Sequence, residues 1–272
     1  MTDYEKIIEK IKEAEAILIG ASNGFSIAEG LHIFGDNEDF RRLFGDFREK
    51  YGIRNIIQGF FFPWPSEEER WAFLCRLFTH YSGSYTGSPL MEALKKILKE
   101  KPYFIVTSNG ENHFELAGFD SKQILEIEGS WKEMRCKNGC EDTLYSTWDV
   151  VRRLSSLESQ GHIPSALLPR CPKCGAPMII NMEPCREQIQ AYHTFLHTYR
   201  GKKLLILELG IGARNQLIKA PLMRLAQQEP KAFYITFNKG ELYIPCQIQG
   251  KAIGVDGNLG EILPEIAARL KG

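Results

Sequence analysis

The segment Ala16-Ile-Leu-Ile-Gly-Ala-Ser-Asn-Gly-Phe-Ser-Ile-Ala-Glu-Gly30 decides the fold. Its first four residues are apolar and are followed by a glycine, a pattern typical of a short buried strand. The small and polar residues after them predict a tight turn into a helix, where small side chains let the backbone approach a phosphate group. A tight turn also needs glycine for its own geometry, so the segment alone leaves a nucleotide site open.

Further apolar runs along the chain alternate with stretches that have helical spacing. The runs are residues 103–106, 123–127, 204–210 and 232–237, and the predicted helices are residues 4–15, 90–99, 220–228 and 260–270. Short apolar runs that alternate with helices predict a parallel sheet covered on both faces. The expected fold class is therefore α/β, with a Rossmann-like, doubly wound parallel sheet.

Two segments interrupt this alternation, and they define the expected domains. Residues 33–85 form a helical, aromatic-rich insertion, which either packs over the sheet or covers a flat cofactor. Residues 131–199 form a small zinc-ribbon domain and its return connection. The Rossmann-like domain comprises the rest, residues 1–32, 86–130 and 200–272.

The second interruption carries two cysteine pairs, Cys136 with Cys140 and Cys171 with Cys174. Each pair is close enough in sequence for both thiolates to reach one ion, and Zn²⁺ prefers four such ligands in a tetrahedron. A closed site with four thiolates leaves no open position for catalysis. We therefore expect a structural zinc ion and a reaction elsewhere in the molecule.

Composition narrows the classes of protein to which the chain can belong. It has 272 residues with 34 basic and 34 acidic side chains, so no global positive field attracts nucleic acid. The longest apolar runs, such as Leu204–Leu207, are far too short to span a bilayer, and we expect no membrane association. No signal-peptide pattern is present, and zinc thiolates suit a reducing cytoplasm, so we expect a cytoplasmic protein without a disulfide framework.

Polar residues follow the second predicted strand, in the segment Thr107-Ser-Asn-Gly-Glu-Asn-His113. The carboxyl end of a parallel strand faces the ligand crevice of such a sheet. In an extended segment Asn109 and Glu111 point the same way. Asn109 is a candidate for binding a ribose hydroxyl or a water, and Glu111 for binding ribose, acting as a base or capping a helix.

Three further strand ends carry candidate residues. Glu128 follows the third run and is either a general base, a stabiliser of positive charge or an exposed strand-end glutamate. Small residues follow the fourth run at Gly210, Ile211 and Gly212. Asn238 ends the fifth run, where a polar side chain can reach an adenosine ribose.

Taken in order, these motifs resemble those of the sirtuins, the NAD-dependent Sir2 family, over nearly the whole chain. The turn at residues 20–22 resembles the family's Gly-Ala-Gly loop, and residues 107–118 resemble Thr-Gln-Asn-Ile-Asp-x-Leu-His-x-x-Ala-Gly. Residues 126–129 match Glu-Leu-His-Gly, residues 210–212 match Gly-Thr-Ser, and the cysteines match the zinc ribbon. The resemblance implies NAD as co-substrate, structural Zn²⁺, and NAD-binding roles for a set of residues. That set is Gly20, Ala21, Ser22, Gly24, Ser26, Ser108, Asn109, Gly210, Ile211, Gly212 and Asn238.

The departures from the deacylating sirtuins are informative. Their general-base histidine is replaced by Glu128, their Gln by Ser108, and their Asp by Glu111. The segment Met178–Pro184 lacks their Arg-Pro-x-Val-Val-x-Phe-Gly-Glu pattern, which binds the acyl-lysine peptide as an added strand. The NAD frame is therefore retained without the usual base or the usual peptide-binding strand.

This combination is similar to the macrodomain-linked bacterial sirtuins, called class M, which are similar to ADP-ribosyltransferases. The resemblance implies a protein acceptor, a lipoylated glycine-cleavage H-like carrier, an oxidative-stress setting and a macrodomain hydrolase encoded nearby. That branch usually has an amide at the position of Glu128 and an arginine at that of Glu111. The two carboxylates depart even from this pattern.

We expect ADP-ribosyl transfer, in which the nicotinamide–ribose bond of NAD breaks through an oxocarbenium-like state. Glu128 or Glu111 stabilises the positive charge or deprotonates the acceptor, and Asn109 holds the ribose or a water. NAD hydrolysis, deacylation with a substituted base, and a catalytically silent NAD or ADP-ribose sensor stay open as alternatives. Histidine, unlike glutamate, naturally titrates near neutral pH, which counts against deacylation.

Overall fold

The computed structural model describes residues 3–99 and 101–270. In chain order, the strands are β1 (Ala16–Ala21), β2 (Tyr103–Thr107), β3 (Ile124–Glu126), β4 (Glu133–Cys136), β5 (Tyr145–Ser146), β6 (Met178–Ile180), β7 (Leu204–Leu209), β8 (Phe233–Asn238) and β9 (Ala252–Asp256). The helices are α1 (Asp3–Glu13), α2 (Asn23–Ala28), α3 (Glu38–Tyr51), α4 (Ile56–Phe60), α5 (Glu67–Phe78), α6 (Pro89–Leu98), α7 (His113–Leu116), α8 (Thr147–Leu154), α9 (Arg186–Thr198), α10 (Gln216–Gln228) and α11 (Leu259–Arg269). A π-helical turn, Thr79–Gly83, follows α5.

The main sheet has the strand order β3-β2-β1-β7-β8-β9, and every neighbouring pair is parallel. The order reverses between β1 and β7, which makes that position the topological switch point where such sheets bind ligands. The expected Rossmann-like, doubly wound sheet is confirmed. All predicted functional loops therefore lie along one edge, at the carboxyl ends of the strands.

Both faces of the sheet are covered, as the near-continuous apolar strands require. One face packs against α1, α6 and α11, in a core that includes Ile7, Leu94 and Ile266. The other face packs against α9 and α10, whose Phe195 and Leu222 belong to a second core. The strands supply alternate residues to the two cores, so the sheet is fixed from both sides.

Several elements around the main sheet differ from the sequence prediction. Strand β9 was not predicted, because its sequence Ala-Ile-Gly-Val-Asp is short and contains Gly254, and it lies at the sheet edge. Helix α10 begins at Gln216, four residues before the predicted start, and continues through Pro221. Strand β3 has three residues instead of the predicted five, because Gln123 belongs to a short 3-10 turn before it and Ile127 to the turn after it.

The aromatic insertion and the cysteine-bearing segment share one hydrophobic core. Phe44, Phe73 and Phe78 of the insertion are fully buried in the same cluster as Trp131 and Met178. A small antiparallel sheet of order β5-β4-β6 supports this cluster, and the sequence analysis did not predict it. Most of the insertion's aromatic side chains are therefore packing residues. The domain boundaries themselves stay a prediction.

Across the described residues, none of the helices combines the length and the apolar character needed to cross a membrane.

Candidate active site at the carboxyl edge of the sheet

The loops after β1 and β7 are locked together at the switch point. The Gly24 amide donates to the Gly210 carbonyl over 2.9 Å. Gly210 has φ +63°, and a Cβ on either glycine would lie 2.5–2.6 Å from the backbone of the other. Because backbone meets backbone, only glycine fits at both positions. This contact fixes the two loops that flank the crevice.

Glycine occupies position 20 for a different structural reason. A Cβ at this position would lie 2.3 Å from Leu222 Cδ1, because α10 crosses the end of β1 there. Ala21 and Ile211, which were also predicted to bind the cofactor, are fully buried. A Cβ at Gly212 would have Glu241 Oε2 as its nearest neighbour, at 3.3 Å. Close packing accounts for Gly20, and the cofactor roles of all four residues stay predictions.

Three loops meet at a small polar junction formed by Ser22, Ser108 and Asn215. The Ser108 hydroxyl donates to Ser22 Oγ over 3.0 Å, and the Asn215 amide donates to both serine hydroxyls over 2.9–3.0 Å. The junction therefore joins the carboxyl ends of β1, β2 and β7. Asn215 was not among the predicted site residues, although its place in the loop after Gly210 was a usable signal.

Asn109 is 4% exposed, and its side chain is only half satisfied. Its Nδ2 donates to the Ser22 carbonyl over 3.2 Å, which ties the β2 loop to the β1 loop. Its Oδ1 is buried without a hydrogen-bond donor among the described residues. Buried acceptors normally have a donor, so this oxygen is a natural place for a ligand to bind.

Glu111 is 5% exposed and accepts a hydrogen bond from the Ser26 hydroxyl of α2. Burial raises the pKa of Glu111 above its usual value, against the opposing charge of His113 and the hydrogen bond from Ser26. The structure thus brings together two predicted residues, Ser26 and Glu111, that are 85 positions apart. A buried carboxyl with a raised pKa suits proton transfer.

Behind Glu111 lies a network that sequence reasoning did not identify. His113 Nδ1 lies 3.0 Å from Glu29 Oε2, its Nε2 lies 2.7 Å from the Tyr81 carbonyl, and its ring stacks on Tyr85 at 4.0 Å. Burial alone would lower the pKa of His113, but the hydrogen bond to Glu29 and the charges of Glu111 and Glu29 raise it. Both ring nitrogens face oxygens, so the imidazolium form fits the geometry. Glu29 lies in the segment quoted at the start, but its partners are 56–84 positions away.

Glu128 lies in the turn after β3, where Gly129 has φ +78° and packs against the backbone of Asn181 and Met182. Its side chain is exposed, and among the described residues it has no hydrogen-bond or ion-pair partner. Partial burial raises the pKa of its carboxyl. The carboxylate is therefore free to act on a ligand.

Asn109, Glu111 and Glu128 line one cavity of about 180 Å³. Its other lining residues are Asn23, Ser26, Ile33, Phe34, Ile56, Ile57, Phe60, Phe61, Ser108, Gly110, Trp131 and Met182. Gly110 has a packing role here, since a Cβ would lie 2.9 Å from the Trp131 indole nitrogen. The cavity thus combines polar groups from the strand ends with apolar walls from the insertion and the cysteine-bearing segment.

Asn238 lies outside this cavity, at the carboxyl end of β8. Its Nδ2 donates to the carbonyls of Ile211 (3.4 Å) and Glu241 (3.1 Å). It therefore supports the loop after β7, and β8 is separated from β2 by β1 and β7. The sequence prediction placed it correctly on this edge, while its contact with an adenosine ribose stays a prediction.

A larger cavity, of about 460 Å³, lies beside β3 and α9, and Asn109, Glu111 and Glu128 do not line it. Its wall includes Glu126, which is 5% exposed and is held by the Asn112 amide and, at 3.6 Å, by Lys132. Burial raises the pKa of Glu126 to about 7. This cavity lacks the polar strand-end residues of the smaller one.

The four predicted metal ligands lie together at the end of the small sheet. All four sulfur atoms are within 4.8 Å of one another, and three pairs are 3.4–3.5 Å apart. Zn–S bonds of about 2.3 Å imply sulfur–sulfur separations of roughly 3.8 Å in a tetrahedron. The cysteines are not disulfide-bonded. Cys136, Cys140, Cys171 and Cys174 therefore have the chemistry and spacing of a structural zinc site.

Comparison with known proteins identifies relatives over most of the chain. No protein-family model matches the chain. A Staphylococcus aureus (strain Mu50) relative named "Protein ADP-ribosyltransferase" is 33% identical over 265 residues, which cover 93% of this chain and 83% of that protein. A Fusarium oxysporum f. sp. cubense relative named "Probable bifunctional ADP-ribose hydrolase/ADP-ribosyltransferase" is 28% identical over 94% of this chain. The chain spans 46% of that longer protein.

Solved structures with the same fold are sirtuins. One sirtuin structure superposes with a TM-score of 0.66 at 16% identity, covering 99% of both chains. A Sir2 homologue in complex with NAD gives a TM-score of 0.63 at 17% identity, covering 98% of this chain and 93% of that one. At these identities the likeness shows the fold, and the Staphylococcus relative shows the family. The chain belongs to the sirtuin-like protein ADP-ribosyltransferases.

Proposed function

We propose that this chain cleaves the nicotinamide–ribose bond of NAD and transfers ADP-ribose to a protein acceptor. One observation carries the proposal: Asn109, Glu111 and Glu128 line a single cavity at the carboxyl edge of the sheet, and Asn109 Oδ1 has no donor from the described residues. Family membership supports NAD as the co-substrate, because the relatives are named ADP-ribosyltransferases. A sirtuin-fold neighbour solved with NAD agrees with it.

The NAD-binding roles that we propose for the loop residues follow from their positions in the fold. In this proposal the loops joined by Gly24 and Gly210, and the junction of Ser22, Ser108 and Asn215, bind the pyrophosphate and ribose; their hydrogen bonds to one another hold them at this edge of the sheet. In this proposal Asn109 Oδ1 accepts a hydrogen bond from a ribose hydroxyl or from a water. Nucleotide phosphates bind at this edge of doubly wound sheets, which supports the assignment.

The two carboxylates act at the bond that breaks. Cleavage of the nicotinamide–ribose bond develops positive charge on the ribose, and a nearby carboxylate stabilises such an oxocarbenium-like state. Glu111 supplies a buried carboxylate for this purpose, while the exposed Glu128 removes the proton of the acceptor. Burial raises the pKa of each carboxyl, so each carboxylate is a stronger base than that of an ordinary glutamate.

NAD hydrolysis is the second candidate function. The exposed carboxylate of Glu128 has no protein partner among the described residues, so water can reach it as easily as an acceptor can. With water as acceptor, the same residues release free ADP-ribose. The two functions differ only in the group that occupies the space next to Glu128.

Two partners follow from the family resemblance and are proposals. The first is a lipoylated glycine-cleavage H-like carrier protein, whose apolar arm would meet Phe34, Phe61 and Met182, exposed residues that line the cavity. The second is a macrodomain hydrolase encoded nearby, which the name of the Fusarium relative supports by joining hydrolase and transferase. We also propose a reducing, cytoplasmic location, since four free thiolates suit it.

The test uses NAD labelled in its adenylate portion, the purified protein and a host lysate, and follows nicotinamide release and label on protein. In the Asn109→Ala variant we expect both signals to fall at least about 100-fold, because the polar contact that orients the ribose is lost. Asn138→Ala, at an exposed position of the cysteine-bearing segment, is the matched control. Labelled protein establishes a transferase. Nicotinamide release with free ADP-ribose alone establishes the hydrolase, and NAD binding without release would reject both.

A further inference from the structure

A buried pair of ionisable side chains that the proposed function does not use lies behind Glu111. The side chains of His113, in α7, and Glu29, just after α2, are 5% and 0% exposed, and His113 Nδ1 lies 3.0 Å from Glu29 Oε2. Withdrawing two charged groups from water costs free energy that their attraction often fails to offset, so such a pair adds little to stability. A role in the neighbouring site would account for its presence.

The hydrogen-bond partners of this pair favour a charged imidazole ring. His113 Nε2 lies 2.7 Å from the Tyr81 carbonyl oxygen, which can only accept, and Nδ1 faces the Glu29 carboxylate. The other oxygen of that carboxylate accepts hydrogen bonds from the Tyr85 hydroxyl, over 2.8 Å, and from the Ser88 hydroxyl. Both ring nitrogens therefore donate, as they do only in the imidazolium form.

The π-helical turn after α5 holds both Glu111 and His113. Its Tyr81 carbonyl faces the His113 ring, and its Ser82 hydroxyl donates to the Glu111 carbonyl over 2.9 Å. Asn112, between them, has φ +65°, a left-handed conformation that non-glycine residues rarely adopt and that persists where the surroundings enforce it. Both features are frequent at functional sites. The fold thus fixes Glu111 and His113 relative to each other.

The charge of His113 opposes the effect of burial on Glu111. Burial raises the pKa of the Glu111 carboxyl, and the positive charge of His113 is the strongest of the influences that lower it. The Ser26 hydroxyl also lowers this pKa, whereas the charge of Glu29 raises it. Among the described residues, the titratable groups that face the His113 ring are Glu29, Glu111 and, stacked on it, Tyr85. Without the imidazolium, the Glu111 carboxyl would hold its proton to higher pH.

We propose that His113 is a positioning residue for NAD cleavage: its imidazolium keeps the Glu111 carboxylate ionised, and Glu29 keeps the imidazolium charged. This inference rests on the proposed function and adds two residues to it. A protonated carboxyl cannot stabilise the positive charge that develops on the ribose, so the ionisation of Glu111 sets the lower pH limit of the reaction. His113 does not line the cavity and acts only through Glu111.

The experiment follows nicotinamide release from NAD by the full chain between pH 5 and pH 9. In His113→Gln the side chain can still donate to the Tyr81 carbonyl but cannot carry a charge. We expect the acid-side midpoint of the kcat/KM profile to rise by about one pH unit, because Glu111 loses its positive neighbour. The rate below the midpoint then falls about tenfold, while the rate at pH 9 changes little. A merely structural defect would lower the rate at every pH.

A double variant separates this charge effect from the cost of a buried, unpaired carboxylate. His113→Gln alone leaves Glu29 without a counter-charge in the interior, which can impair folding. In Glu29→Gln/His113→Gln both charges are absent, so stability should recover while the acid-side midpoint stays raised, because His113 affects Glu111 more than Glu29 does. His193→Gln makes the same exchange at an exposed position of α9 and is the matched control.

Nitrogen-15 NMR of the histidine rings tests the charge state without any catalysis. At pH 7 we expect both ring nitrogens of His113 to carry protons, because each faces an acceptor oxygen. A neutral His113 ring, an unchanged acid-side midpoint in both variants, or an equal shift in His193→Gln would overturn the inference and leave NAD cleavage standing. Absence of nicotinamide release by the wild-type protein would overturn the proposed function, and the inference with it.

Discussion

Two buried glutamates, one in strand β7 and one in the loop after β2, differ in how completely their carboxylate oxygens are satisfied. Glu208 of β7 is 0% exposed, and its carboxylate pairs with Lys219 of α10 and accepts hydrogen bonds from the hydroxyls of Tyr234 and Thr236. Glu111, 5% exposed, has one side-chain donor, Ser26, and lines an open cavity. The carboxylate of Glu208 therefore has all its partners within the protein, whereas that of Glu111 does not.

The difference separates a structural role from a functional one. A buried charge that has all its partners contributes to a unique packing of strands and helix, and a ligand has no place there. A buried carboxyl beside an unsatisfied amide oxygen and an unpartnered carboxylate retains capacity for a ligand. The comparison therefore predicts opposite consequences for the same substitution at the two sites.

The largest expected effects come from Glu208→Gln and Glu111→Gln. Glu208→Gln leaves Lys219 buried without a counter-charge, so the free energy of unfolding should fall by about 3–5 kcal/mol. Glu111→Gln keeps the shape and the bond to Ser26, so stability should hold while nicotinamide release falls at least about 100-fold. Urea unfolding and nicotinamide release measure the two quantities. A stability loss at Glu111 larger than that at Glu208 would break the comparison.

The sequence could reveal one cluster and not the other, for a physical reason. Asn109, Glu111 and Glu128 follow apolar runs, and the carboxyl ends of parallel strands meet at one edge, so their proximity was predictable. Glu208 lies inside an apolar run, and its partners are 11, 26 and 28 positions away. The partners Tyr234 and Thr236 are set by the register of β7 with β8, and Lys219 by the packing of α10, neither of which a local pattern encodes.

Short strands and contacts between distant segments were also difficult to predict from the sequence. The strands β1, β2, β7 and β8 were predicted because each has five or six residues and a continuous apolar sequence. Strands of the small sheet have two to four residues, and the main signal in their segment was the cysteine spacing. The link between His113 and Glu29 was missed because it depends on how α2 packs against α7, not on either sequence alone.

Glu126 lies between these two cases, because it is strongly buried but has some hydrogen-bond and ion-pair partners. We expect its titration to give the next largest effect on stability. Its pKa of about 7 in the folded protein exceeds the ordinary value of 4.5, so between these values the native state holds a proton that the unfolded chain has released. Stability should therefore fall as pH rises through this window, by up to about 1.4 kcal/mol per pH unit.

Urea unfolding at pH 5 and pH 8 checks the prediction, with Glu126→Gln as the comparison. The amide cannot ionise, so the variant should lose this part of the pH dependence and gain stability over the wild type at pH 8. Glu92→Gln is the control, because Glu92 lies on the solvent side of α6 and its substitution should change the pH dependence of stability little. Glu133→Gln is less suitable, because Glu133 lies in β4. An unchanged pH dependence in Glu126→Gln would assign it to other groups.

The smallest expected effect tests the locked loops beside the incomplete cluster. Gly210 and Gly201 have φ of +63° and +70°, so alanine is strained at both, at a cost of about 1 kcal/mol. A Cβ at Gly210 would also meet the Gly24 backbone at about 2.5 Å, whereas nothing lies within 4 Å at Gly201. Gly210→Ala should therefore cost more stability than Gly201→Ala and should also weaken NAD binding.

Thermal unfolding and NAD titration of both variants measure these effects. Equal stability losses with unchanged NAD affinity would mean that the contact between the two glycines does not hold the crevice. A loss of NAD affinity in Gly201→Ala would point instead to a general loosening of the sheet.

The cavity takes its polar floor from the sheet and its apolar walls from a separate core. Asn109 and Glu111 belong to the loop after β2, while Phe60 and Trp131 belong to the cluster that the insertion shares with the cysteine-bearing segment. If the proposed function holds, a change of the walls can change the acceptor while Asn109 and Glu111, the groups proposed to act on NAD, keep their places. Two separate cores thus let the walls be redesigned without disturbing the sheet, and an insertion grafted onto this sheet would be a direct way to use that freedom.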